Sequence, residues 1–159
     1  MEQFFAENSD IFLKLIVALV LGMFIGAERT LVHKEAGMKT HALVSLGAAL
    51  FMIISEMTGE KYASIGGFDP IRMASQIVVG IGFLGAGMVI FQGSKVRGLT
   101  TAGGLWVVGG IGVATGLGFF TLAITATILV LVIFVFLNIL ENPIRKMSNE
   151  IEKEKEEHQ

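Results

Sequence analysis

The chain has 159 residues, a formal net charge of −2, no cysteine and 53% hydrophobic residues, at a mean hydropathy of +0.71. That length supports one domain, and the apolar content is too high for a soluble domain of this size, so the expected class is an all-α membrane protein. The charge balance excludes a basic nucleic-acid surface, and the lack of thiols excludes a disulfide framework, a thiolate metal site, a Cys nucleophile and S-palmitoylation.

The N-terminus, MEQFFAENSD, is acidic and lacks the positive region and small-residue cleavage site of a signal peptide, so the first apolar run is expected to remain as a span. A hydrocarbon core of about 30 Å takes roughly 20 helical residues. The first predicted helix is Ile11–Ala27, with Lys14 near enough to its end to snorkel to the headgroups. It runs into GAERT. Continued through that motif, Ala18, Gly22, Gly26 and Arg29 share one stripe and Glu28 points about 100° away. Arg29 then faces the packed bundle or, with Glu28, anchors the helix in the wet interface. The loop KEAGMKTHALV places Lys34, Lys39, Thr40 and His41 next in sequence.

The second predicted helix, around His41–Met57, contains an uncharged run of only 14 residues, Ala42–Ser55. A run so short is compatible with a re-entrant element, while Met38, His41 and Met57 extend it to a spanning length. The third, Met73–Phe91, follows FDPIR, where Asp69 suits an N-cap and Pro70 the first helical position. Arg72, Gln76, Gly80, Phe83 and Gly87 share a face of this helix. That face is either a cap pair of Asp69 and Arg72 beside a hydrogen-bonded Gln, or a polar path leading into the glycines.

The same helix holds GIGFLGAG, which has the G-x-G-x-x-G spacing of a dinucleotide loop. The fingerprint fails, because no Asp or Glu lies between Asp69 and Glu141 to hold a ribose, and the glycines sit in an uncharged run long enough to span lipid. Close helix packing through Gly80, Gly82, Gly85 and Gly87 is the alternative, since small residues let helix backbones approach in lipid. Thirteen of the twenty glycines fall between Gly80 and Gly118, so the third and fourth helices are the expected tightest pair of a compact bundle. Gly22 with Gly26 and Gly112 with Gly116 add G-x-x-x-G pairs. Such glycines also permit a locally broken helix along a pathway.

The fourth predicted helix, Leu99–Gly118, and the fifth, Thr121–Leu140, form a hairpin across GLGFF. Five spans result, in a membrane domain of residues 1–140. Residues 141–159 form a charged tail with i,i+4 pairs such as Lys153 and Glu157, either solvated and partly helical or a partner-binding arm. With the N-terminus outside, the inner segments carry Arg29, Lys34, Lys39, Lys95, Arg97, Arg145, Lys146, Lys153 and Lys155, against Lys61 and Arg72 outside. This bias puts the C-terminus in the cytoplasm.

Catalytic spacing is absent. His33, His41 and His158 do not form H-E-x-x-H, and neither G-x-S-x-G nor Ser-x-x-Lys occurs, so no enzyme and no cofactor is expected. A Mg²⁺ site needs only one or two carboxylates with retained waters; Glu28 alone is compatible with one and equally with an ion pair.

Four blocks together resemble the membrane domain of the MgtC/SapB family: GAERT (Gly26–Thr30), AGMKTHALVSLGAALF (Ala36–Phe51), RMASQIVVGIGFLGAGMVI (Arg72–Ile90) and VRGLTTAGGLWVVGGIGVATGLG (Val96–Gly118). The resemblance implies a multi-pass bacterial inner-membrane protein of magnesium or acid-stress homeostasis, in a virulence-associated family. It also implies a non-enzymatic action on membrane partners such as ATP synthase, although many relatives carry the label of Mg²⁺ transporter. Its motif positions here include Glu28, Arg29, Gly37, Thr40, His41, Arg72, Gln76, Gly82, Gly85, Gly87, Arg97, Gly98, Thr100, Thr101 and Trp106. The chain departs at Thr30, where relatives commonly carry an acidic residue, and at Gly103, where they carry alanine. It is expected to be like the shorter, SapB- or YhiD-like members, without the prototype's C-terminal cytoplasmic domain. The expected partners are the bilayer, a membrane protein and a second copy; the alternative is a cation transporter or channel with a polar path through Glu28, Arg72 and Gln76.

Overall fold

The computed structural model describes residues 8–63, 69–93 and 95–157. Five helices follow in order: α1 (Ser9–Leu31), α2 (Met38–Lys61), α3 (Pro70–Met88), α4 (Leu99–Gly116) and α5 (Phe120–Glu157), with strands β1 (Ile90–Gln92) and β2 (Lys95–Arg97) between α3 and α4. Each helix has a stretch long and apolar enough to cross a membrane, the second included, at 24 residues. The outward faces carry exposed Ile16, Phe24, Leu43, Val79, Phe83 and Leu122, which suits lipid. His158 and the loop at residues 64–68 lie outside the described residues.

Local chemistry sets the helix ends. Asp69 caps α3, its Oδ1 accepting from Ile71 N at 2.9 Å, with Pro70 at the first position. The helix therefore starts and stops three residues earlier than the hydrophobic run suggests. Ile90 and Phe91 leave it to pair with Arg97 and Val96 in an antiparallel hairpin. Gly98, at φ 87°, returns the chain so close to α3 that a Cβ there would lie 2.0 Å from the Met88 carbonyl oxygen. The α4–α5 turn is a Schellman ending: Gly118 is at φ 78°, and Phe119 N donates to Ala114 O at 2.8 Å. The α5 backbone stays helical through Pro143 to Glu157, so residues 141–157 continue the helix beyond its apolar stretch, Phe120–Leu140.

α2 packs closely on both α1 and α4, and α4 touches all four other helices. A Cβ at Gly22 would stand 2.6 Å from His41 O, and one at Gly26 2.5 Å from Met38 Cα, so α1 lies backbone to backbone on α2. On the other side a Cβ at Gly112 would stand 2.2 Å from Ser45 O and one at Gly116 2.8 Å from Ala49 O. The α3–α4 pair is looser than its glycine content suggests. Only Gly85 meets α4, near Ala102, while Ile81 fills the notch left by Gly109; Gly80, Gly82 and Gly87 have nothing within 4 Å. The tightest approach is thus α2 with α1 and α4, because most α3 glycines turn outward and leave Ile77 and Ile81 to pack.

Candidate functional site

The stripe Ala18, Gly22, Gly26 and Arg29 is buried along α1. Arg29 is 3% exposed, and its Nε donates to Glu28 Oε2 in a short ion pair. Its guanidinium carbon lies 3.6 Å from the centroid of the Phe134 ring on α5. A buried cation needs both a counter-charge and an electron-rich neighbour, and Glu28 and the ring face supply them. Glu28 is thereby engaged as an ion-pair partner. Among the described residues no three His, Cys, Asp or Glu gather as a metal cage.

His41 is fully buried one turn into α2. Its Nδ1 is 2.9 Å from Gly37 O, and a carbonyl only accepts, so Nδ1 carries a proton and donates it there. Among the described residues Nε2 has no partner, and neither has the Oγ of Ser45, one turn further along α2, nor that of Ser55. Gly104 of α4 leaves room beside Nε2: a Cβ there would be 3.7 Å from it and 2.9 Å from Phe134 Cζ. Arg29, His41 and Gly104 are thus brought together against Phe134, where α1, α2, α4 and α5 meet.

Thr30 closes the α1–α2 connection. Its hydroxyl donates to Gly26 O at 2.9 Å and accepts from Met38 N at 3.0 Å, capping α2 from a distance. Position 30, a departure from the family pattern, thus has a structural use without a charge.

The face Arg72, Gln76, Gly80, Phe83 and Gly87 lies on the exposed side of α3. Gln76 and Thr40 flank an apolar groove of about 600 Å³ between α2 and α3, floored by Val44, Ala48, Ile77 and Ile81. Arg72 is exposed at the opposite end of the bundle from Arg97. Lys14 is 8% exposed, with Nζ 3.0 Å from both Asp10 Oδ2, one turn nearer the start of α1, and Glu56 Oε2. Phe134, Ser45, Ser55 and the Lys14 triad escape sequence reading, because each is one residue of an unremarkable run until a neighbouring helix gives it a partner.

Residues 15–143 match the model of the MgtC family. The chain is similar to protein MgtC of Salmonella typhimurium (strain 14028s / SGSC 2262), at 44% identity over 75% of this chain and 48% of the relative. It is also similar to the candidate magnesium transporter YhiD of Escherichia coli (strain K12), at 38% over 79% of this chain and 60% of the relative. A Haemophilus influenzae protein is 42% identical over 79% of this chain and 55% of its own length. The chain therefore spans about half the length of the curated relatives it matches. No solved structure matches it.

Proposed function

The chain belongs to the MgtC family, and on that footing we propose that it serves magnesium homeostasis from within the bacterial inner membrane, by contact with membrane partners such as ATP synthase rather than by catalysis. The observation that carries this reading is the sealing of Arg29. The charged pair of Arg29 and Glu28 is closed under Phe134, near where glycines let α1 and α2 approach backbone to backbone, while the outer faces, the α2–α3 groove among them, are open and apolar. Charge is used inward to fix the fold, and the free surface is of a kind that other membrane helices fit. The N-terminus outside and C-terminus in the cytoplasm follow from the Lys and Arg count.

A second reading, cation transport, is favoured by one observation: His41 Nε2, Ser45 Oγ and Ser55 Oγ, unpartnered among the described residues, all belong to α2, which packs between α1 and α4. Purified chain in proteoliposomes separates the two. The contact reading expects no Mg²⁺ flux above empty vesicles under an imposed gradient, together with co-purification of ATP synthase from native membranes that is lost when Phe51 and Leu84 at the groove become polar. Flux that falls in Glu28→Ala or Ser45→Ala would transfer the function to transport. A reporter fused after Glu157 that reads as periplasmic would reverse the orientation.

A further inference from the structure

The α1–α2 loop, the hairpin and the first turn of α4 enclose a polar recess of about 340 Å³, within the size range of small-molecule sites. Its chemistry-bearing walls are His33, Lys34, Glu35, Arg97, Thr100 and Thr101. α4 is 18 residues long and capped by Gly98, which offers no side-chain acceptor. Its hydrogen-bond ladder begins with Ala102 N to Gly98 O at 2.8 Å, so the N–H groups of Leu99, Thr100 and Thr101 precede any carbonyl of the helix. The helix dipole adds about half a positive charge at that end.

Thr101 points independently to a ligand. Buried Thr115 and Thr127 return their hydroxyls to the carbonyls of Ile111 and Ala123, at 2.7 and 2.9 Å. Thr101, 2% exposed, makes no such bond among the described residues, and it lines the recess. A hydroxyl that bonds no carbonyl of its own helix, in a residue buried but for the surface it shows the recess, is a donor free to meet a ligand there. Lys34 and Arg97 bring two cations, neither held in an ion pair among the described residues, against the single carboxylate of Glu35. His33 is kept at φ 55° by a Schellman ending in which Lys34 N donates to Arg29 O at 3.0 Å.

We propose that this recess is an oxyanion site for a phosphate group, held by the first-turn N–H groups of α4 and the Thr101 hydroxyl and balanced by Lys34 and Arg97. The donors outnumber what the two oxygens of a carboxylate can accept, and a helix N-terminus with cations beside it is the arrangement that phosphate oxygens fit. The phosphate belongs either to a soluble ion or ester or to a lipid headgroup, because the recess lies at an end of the bundle where both are present.

The test uses the full chain purified in a neutral detergent, in two arms. One titrates inorganic phosphate by calorimetry, with chloride as the control. The other follows retention of phosphatidic acid against diacylglycerol of the same acyl chains by native mass spectrometry. Saturable one-to-one binding is expected in at least one arm. Thr101→Val should weaken it roughly tenfold and Thr101→Ser should keep it; Arg97→Gln should also weaken it roughly tenfold, and Glu35→Gln should tighten it. Binding of phosphate alone assigns the ligand to water, of phosphatidic acid alone to the bilayer, and of both to the phosphate group itself. Arg97 is exposed, so its variant carries the test if Thr101→Val does not fold. Absence of binding in both arms, or binding unchanged in the Arg97→Gln and Thr101→Val chains that fold, overturns the proposal.

Discussion

Arg29 on α1 stacks on Phe134 of α5, its guanidinium carbon 3.6 Å from the ring centroid, so the first and last spans are tied through a cation sealed inside the bundle. A desolvated contact of this type contributes about 2 kcal/mol. Phe134→Leu should therefore lower stability by about that amount, and Phe134→Ala by about 3–5 kcal/mol as a cavity opens. Glu28 gives a sharper test. Arg29→Met alone leaves its carboxylate, only 11% exposed, without a counter-charge, at a cost of about 3–5 kcal/mol. Adding Glu28→Gln should recover most of that loss. Equilibrium unfolding in micelles measures the cycle, and additive effects would show that the pair does not stabilise as described.

Two sets of glycines should respond oppositely to alanine. At Gly112 the new methyl would meet the Ser45 carbonyl oxygen at 2.2 Å and at Gly22 the His41 carbonyl oxygen at 2.6 Å, and backbone cannot step aside as a side chain can. Gly112→Ala and Gly22→Ala are expected to separate helices and cost about 3 kcal/mol each, the upper end of the usual overpacking cost. Gly80→Ala and Gly82→Ala meet nothing within 4 Å and should be neutral or stabilise by up to about 1 kcal/mol through helix propensity. Thermal melts of the four variants decide this; a loss at Gly82 matching that at Gly112 would contradict the packing.

This contrast shows what the sequence carried. The number of spans was legible, because lipid demands a fixed length of uncharged helix, and so were the Asp69-Pro70 start and the Gly118 turn, which depend on local chemistry. The stripe of Ala18, Gly22, Gly26 and Arg29 follows from the 3.6-residue period. What faces it does not follow, since period gives a helix a face but not a neighbour. Glycine density pointed to α3 against α4, yet three of the four glycines in GIGFLGAG turn outward. The hairpin was hidden because Ile90 and Phe91 extend an apolar run as readily as a strand. Phe134 was hidden as one of many large apolar residues along α5.

The Lys14 triad should behave as a shared partnership. Its ammonium lies 3.0 Å from both Asp10 and Glu56, whose side chains are 67% and 44% exposed. Either carboxylate alone can satisfy the lysine, and wet partners contribute little, so Asp10→Asn or Glu56→Gln singly should cost under about 1 kcal/mol. The double variant leaves a largely buried ammonium with neither partner, and its loss should exceed the sum of the two. Unfolding of the four chains at low and high salt gives the coupling, and a double variant that is merely additive would mean that the triad does not act as a unit.

The serines of α2 give the last prediction. Ser45 and Ser55 are buried with hydroxyls that find no partner among the described residues, and such a group has given up its water without a replacement bond. Ser45→Ala and Ser55→Ala remove that deficit and change the packed volume by one atom, so each should stabilise the fold, by up to about 1 kcal/mol, where truncation of a buried residue ordinarily destabilises. The sign is the informative part. A loss of stability in both variants would mean that the hydroxyls are hydrogen-bonded in the membrane. A gain in stability accompanied by a loss of Mg²⁺ flux in proteoliposomes would mean that the helix keeps unsatisfied groups for passage, and would favour the transport reading over the contact one. A gain with no flux to lose leaves α2 as a packing surface, with a small residue retained at Ser45 so that α1 and α4 can close on it within backbone distance.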